Sequence, residues 1–129
     1  EEARNMADYF RCGMHAACHA LSNVLPLCGI QCSSNDVHTM CESPDAARYQ
    51  VRRLIIADRC KGGNGLSKQA HPLWAALLDT ALQVVRGCDC QSRGGCPSCV
   101  FMLSCVSHNA MLDKECAAVI LEAMLEGPP

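Results

Sequence analysis

Five of the 12 cysteines in this 129-residue sequence fall in one stretch: Cys88, Cys90, Cys96, Cys99 and Cys105. At its centre is Gly95-Cys96-Pro97-Ser98-Cys99. A C-x-x-C turn places two thiolates on one side of a tight loop, at the separation a tetrahedral zinc ion needs. Cys88-Asp89-Cys90 and Cys105 can supply the other two ligands. Glycines at 87, 94 and 95 let the backbone turn around an ion. Metal binding would also order loop segments too short to order themselves, because its free energy appears as folding free energy. Five candidates compete for four places. Cys96, Cys99 and Cys90 come first, and Cys88 and Cys105 contest the last. Four thiolates leave no open coordination position, so one such Zn2+ is structural and not catalytic.

A thiol redox site is the competing chemistry for Cys96-Pro97-Ser98-Cys99. It requires a C-x-x-C that opens a helix after a strand, and it gives the flanking cysteines no role. The other seven cysteines (Cys12, Cys18, Cys28, Cys32, Cys41, Cys60 and Cys116) are scattered, mostly on apolar faces, and read as core residues.

Other residue sets carry weaker signals. His15 and His19 are four apart on a helical stretch and can face one metal, with Cys12 and Cys18 as further donors. A metalloprotease motif would need Glu where Ala16 stands. Packed histidines are the simpler expectation. His38 and His71 are isolated, and His108 lies near enough to the cysteine cluster to replace a Cys as ligand. Asp58 beside the glycine tract reads as a turn cap. Gly62-Gly63-Asn64-Gly65-Leu66-Ser67-Lys68 is glycine-rich but is not G-x-x-x-x-G-K-[ST], so it reads as a strand-to-helix turn rather than a nucleotide cradle. Trp74, at helical spacing, reads as core rather than as a base-stacking platform.

The elements that must position these residues follow from periodicity. Phe10, Met14, Ala17, Cys18, Leu21 and Val24 recur at three- and four-residue steps, predicting a helix from about Asp8 to Val24 that Pro26 ends. Leu27–Cys32 suits a short strand. Residues 37–50 show no clear period, and Pro44 argues for a loop or a short helical turn. Val51–Ala57 is the strongest strand pattern, apolar and β-branched. A second helix is expected from about Ser67 to Arg86, with Pro72 in its first turn, and a third from about Leu112 to Leu125, closed by Gly127-Pro128-Pro129. The fold class is α+β: about three main helices, a small β-sheet and a four-cysteine zinc-binding loop region. Residues 1–7 read as a flexible lead-in and 8–127 as a single domain.

Composition sets the compartment. Half the residues are apolar, enough to bury a core without covalent staples. The start, Glu1-Glu2-Ala3-Arg4, lacks the chemistry of a secretory signal, and no apolar run is long enough to span a bilayer. The expectation is an intracellular, reducing location and no membrane partner. Net charge is −2, which disfavours a general polyanion binder. Basic residues nevertheless concentrate centrally, as Arg48, Arg52, Arg53, Arg59, Lys61 and Lys68. Arg52, Arg53, Lys61 and Lys68 are the candidate phosphate or DNA contacts.

Taken together, these motifs resemble the MrfA-type zinc-binding domain, found at or near the C-terminus of superfamily 2 DEAD/DEAH-box helicases. The family pattern is matched by Cys88-Asp89-Cys90, Gly95-Cys96-Pro97-Ser98-Cys99, Cys105, Asn109 and Leu112-Asp113-Lys114. Upstream, His15-Ala16-Ala17-Cys18-His19-Ala20-Leu21 is followed by Leu25-Pro26, and Leu54-Ile55-Ile56-Ala57-Asp58 by Gly62-Gly63-Asn64-Gly65. The Cys90-to-Cys96 gap is two residues longer than the family pattern, and Ala57 stands where the family often has an aromatic residue. The resemblance implies an accessory role in a DNA-repair helicase that unwinds with 3′-to-5′ polarity. ATP and Mg2+ would serve only motor domains N-terminal to Glu1. The chain would then be no enzyme by itself, and its partners would be its own motor domains in cis and DNA. Its location would be nuclear in a eukaryote and cytoplasmic in a bacterium. A zinc-stabilised protein–protein adaptor is the alternative from another class.

Overall fold

The computed structural model describes residues 6–30, 37–42, 53–58, 65–102, 105 and 109–127. For residues 6–8, 37–42, 53–58, 66 and 67 it describes the backbone alone. Four α-helices, two short 3-10 turns and a two-stranded antiparallel pairing make up the described elements.

Helix α1 (Met6–Val24) is the centre of the molecule. From Cys12 to Leu21 only His15 is more than marginally exposed, because small residues close the side that a larger residue would hold open: Gly13, Ala16, Ala17 and Ala20. A helix apolar nearly all round must be surrounded, and α1 packs against α3 (Trp74–Gly87), α4 (Lys114–Glu126) and the strand pair. Its approach to α4 is close. A Cβ built at Gly13 would stand 2.6 Å from Cys116 Cβ and 2.9 Å from Ile120 Cδ1. Phe10, placed in the apolar stripe by its spacing, is instead 46% exposed, since it precedes the enclosed part of the helix.

Pro26 ends α1 as its missing N–H requires, but the segment that follows is not a strand. Pro26–Cys28 forms one turn of 3-10 helix, closed by Gly29, and Ile30 then inserts fully into the core. Residues 31–36 lie outside the described ones. Residues Val37–Glu42, which have no readable period, form strand β1 and pair antiparallel with β2 (Arg53–Asp58), Val37 opposite Asp58 and Glu42 opposite Arg53. The pairing is a nonlocal property that the sequence of β1 does not advertise.

The expected second helix is divided. Helix α2 (Leu66–Ala70) gives way to a 3-10 turn at His71–Leu73, and α3 starts at Trp74. Pro72 sits at the first turn of that 3-10 segment, where its absent N–H costs nothing, and the axis is interrupted there. Leu77, Leu78, Ala81, Leu82 and Val85 make the buried stripe of α3, and Trp74 packs against the same core half-buried.

Helix α4 begins two residues later than its apolar pattern suggests. Asp113 is its N-cap, extended (φ −138°, ψ 105°), with a carboxylate oxygen accepting from the Cys116 amide at 2.9 Å. Ala117, Ala118 and Leu121 face the core, whereas Val119, apolar but on the outer side, is 65% exposed. Between α3 and α4 the chain from Cys88 to Asp113 carries no helix or strand among its described residues. This is the segment that holds the cysteines, and it packs on the core through Cys99, Val100 and Leu112.

Candidate metal centre

Cys88 and Cys90 follow the end of α3, and the turn Gly95–Val100 brings Cys96 and Cys99 to meet them. Gly95 makes that turn possible. Its φ is +87°, and a Cβ there would stand 2.1 Å from Val100 Cγ2 and 3.3 Å from Cys99 Sγ. The turn is held by Cys99 N–H and Phe101 N–H, both donating to the Cys96 carbonyl at 3.0 and 3.2 Å.

One ligand atom from each of Cys88, Cys90, Cys96 and Cys99 lies within 4.8 Å of the other three. The Sγ separations are 3.5 Å for Cys88–Cys96, 3.7 Å for Cys96–Cys99 and 3.9 Å for Cys90–Cys99. A zinc tetrahedron with Zn–S bonds of about 2.3 Å has S···S edges of about 3.8 Å. These three separations match the edges of such a tetrahedron, and none of them is that of a disulfide. No disulfide involves Cys28, Cys88, Cys90, Cys96, Cys99, Cys105 or Cys116.

Hydrogen-bond donors converge on two of the sulfurs. The Cys96 amide donates to Cys99 Sγ at 3.2 Å. Lys114, first residue of α4, places Nζ 3.2 Å from Cys90 Sγ, and donates also to the Cys90 carbonyl at 3.1 Å and the Cys88 carbonyl at 2.9 Å. A backbone hydrogen bond from Ser98, aided by Cys88, brings the Cys96 thiol down to about 7, whereas burial pushes Cys99 up to about 12. A bound cation would offset the cost that burial places on the Cys99 thiolate.

Arg93, between Cys90 and Cys96, has a structural use. Its guanidinium donates from Nε to the fully buried Asp113 carboxylate at 2.8 Å and stands over the Tyr9 ring at 4.8 Å. The Lys114 amide in turn donates to the Arg93 carbonyl at 2.8 Å. The cysteine loop is thus tied to the start of α4 by both backbone and side chain.

Cys105, the fifth candidate, lies outside this group. It is buried, and its Sγ is 3.7 Å from Nε2 of His15, with His19 in the same cluster. Cys12 and Cys18 are buried on α1 and Cys28 and Cys116 are half-buried. Neither Cys12 nor Cys18 belongs to either cluster of potential metal ligands. Lys68 is exposed on α2, and His71 is exposed beside Pro72. Arg52, Lys61, Cys32, Cys60, His108 and the Gly62–Asn64 tract lie outside the described residues, as do the side chains of Arg53, His38, Cys41 and Asp58. Arg93, Asp113 and Lys114 were not apparent as site residues from their types. The only sequence signal was Leu112-Asp113-Lys114 opening the last helix.

The sequence matches the MrfA Zn-binding domain family over residues 17–100, a span that contains all four clustered cysteines. The chain belongs to this family. Its fold agrees: the crystal structure of the DUF1998 helicase MrfA bound to DNA superposes with a TM-score of 0.69 at 22% identity, covering 96% of this chain and 16% of that one. The ATP-dependent helicase hrq1 of Schizosaccharomyces pombe is 32% identical over 124 residues, 87% of this chain but 12% of the helicase. An uncharacterized protein of Methanocaldococcus jannaschii is 28% identical over 123 residues, 87% of this chain and 99% of that protein. The chain therefore spans a small part of the two helicases and nearly the whole of the archaeal protein. No helix among the described residues is long and apolar enough to cross a membrane.

Proposed function

We propose that this chain is the structural zinc module of an ATP-dependent DNA helicase, with Cys88, Cys90, Cys96 and Cys99 as the four ligands of one Zn2+. The observation that carries the reading is the set of sulfur separations, 3.5 to 3.9 Å, in a member of a zinc-binding family. When bound, the ion supplies charge neutralisation and a cross-link between the end of α3 and the Gly95–Val100 turn. The chain's own groups do the rest. Lys114 balances the negative charge that four thiolates would leave, and Arg93 with Asp113 anchors the loop on α4. No coordination position remains for substrate, so the module performs no chemistry of its own. ATP and Mg2+ belong to motor domains elsewhere in the parent protein.

The helicase context rests on hrq1 and MrfA, in each of which a region like this one is a small part of a larger protein. The module would dock on its motor in cis and help hold DNA. Arg52, Arg53, Lys61 and Lys68 are the side chains proposed to reach phosphates, in an intracellular, reducing compartment. Two measurements test this. Metal analysis of the purified chain should find one zinc equivalent that Cys96→Ser and Cys99→Ser each remove and that Cys28→Ser leaves in place, whatever the chain binds elsewhere. Single-stranded DNA affinity should fall with salt and weaken in Lys68→Ala. A protein–protein adaptor would instead show affinity independent of salt and of Lys68.

A further inference from the structure

Helix α1 presents His15 and His19 four residues apart, so both rings lie on one face, with ring centroids 4.4 Å apart. Each ring is oriented by a backbone carbonyl. His19 Nδ1 lies 2.8 Å from the Val100 carbonyl and His15 Nδ1 lies 3.3 Å from the Met111 carbonyl. A carbonyl oxygen only accepts, so the proton of each neutral ring sits on Nδ1. Both Nε2 atoms then carry the free lone pair. This carbonyl-to-Nδ1 arrangement is the one that orients metal-bound histidines.

Cys105 completes the set. Its Sγ is 3.7 Å from His15 Nε2, and one ligand atom from each of the three residues lies within 4.8 Å of the other two. With Zn–N of about 2.1 Å and Zn–S of about 2.3 Å, a tetrahedral ion sets its N and S ligands about 3.6 Å apart. The carbonyl that orients His15 belongs to Met111, a non-glycine residue at φ +60°. Such a conformation persists only where its surroundings impose it. His19 and Cys105 are buried, and His15 is the partly exposed member through which an ion could enter.

We propose that His15, His19 and Cys105 form a second binding site for a zinc-class divalent ion, separate from the four-cysteine cluster. The fourth position of the ion is left to water or to another donor. The site stands independently of the four-cysteine assignment, since it shares no residue with it. The two are adjacent along the chain, however. Val100, whose carbonyl orients His19, directly follows Cys99. Ordering of the turn by one ion would thus orient a ligand of the other.

The test is zinc stoichiometry of the full chain by native mass spectrometry after saturation and desalting, joined to cobalt substitution. Two ions per chain are expected. Cys105→Ser, His15→Gln and His19→Gln should each hold one, with unchanged far-ultraviolet dichroism. Cys96→Ser should lose the other ion. With Co2+, the equivalent lost in Cys105→Ser should show weaker sulfur charge transfer than the one that remains, reflecting one thiolate against four. A single equivalent in the wild type that survives Cys105→Ser would overturn the second site and leave an ordinary Cys–His hydrogen bond. A single equivalent that Cys105→Ser abolishes and Cys96→Ser spares would instead support this site and overturn the four-cysteine reading. If His19→Gln fails to fold, Cys105→Ser and His15→Gln decide.

Discussion

Lys114 Nζ lies 3.2 Å from Cys90 Sγ and 3.1 Å from the Cys90 carbonyl, so the first residue of the last helix is bonded to the cysteine cluster. Replacing Lys114 with Met keeps the stem and removes the charge and all three donors. Zinc affinity should fall by roughly 10- to 100-fold, the range for loss of a partner that orients and balances metal ligands. Competition with a chromophoric chelator measures it. An unchanged affinity would mean that Lys114 serves only the carbonyls of the loop.

Asp113 has two duties, capping α4 and receiving Arg93, and it is fully buried. Asp113→Ala removes the cap and leaves the Cys116 amide without its acceptor. The expected cost is about 1–3 kcal/mol in urea denaturation. Arg93→Ala should cost less, because the guanidinium is half exposed whereas the carboxylate is not. A double-mutant cycle should show the two effects to be non-additive.

Gly95 and Gly87 form a matched pair of probes. Alanine at Gly95 meets Val100 at 2.1 Å and adopts a left-handed φ of +87°, whereas alanine at Gly87 meets nothing within 4 Å. Gly95→Ala should destabilise the chain by about 1–3 kcal/mol and lower zinc affinity. Gly87→Ala should leave both near wild type, as thermal melts followed by dichroism would show. Equal effects would mean that the turn is not what positions the sulfurs.

Removing the metal should be visible in the thiols. Chelation should make Cys88, Cys90, Cys96 and Cys99 reactive and lower the melting temperature, while buried Cys12 and Cys18 stay protected. Acid should have the same effect. The ligands bind metal deprotonated, so affinity falls as pH falls and the thiolates take up protons. Zinc release followed with a colorimetric indicator between pH 7 and 4 should therefore rise monotonically. Release independent of pH would argue against thiolate ligands.

Much of the metal cluster was legible in the sequence because its geometry is local. C-x-C and C-x-x-C each fix two sulfurs within a turn, whatever the rest of the chain does. The stripes of α1 and α3 were legible for the same reason, since helical periodicity is a property of neighbours. Tertiary structure decided the remainder. Which of the five cysteines cluster depended on where Cys105 lands, and it lands beside His15, 90 residues away in sequence. Strand β1 has no pattern of its own and exists by pairing with β2. Pro72 could have opened one long helix, and the packed chain instead breaks there. Arg93, Asp113 and Lys114 are ordinary surface types by composition, and only the docking of α4 on the loop brings them against the cysteine cluster. Local spacing fixes which side chains could share an ion; long-range packing fixes which of them are brought together.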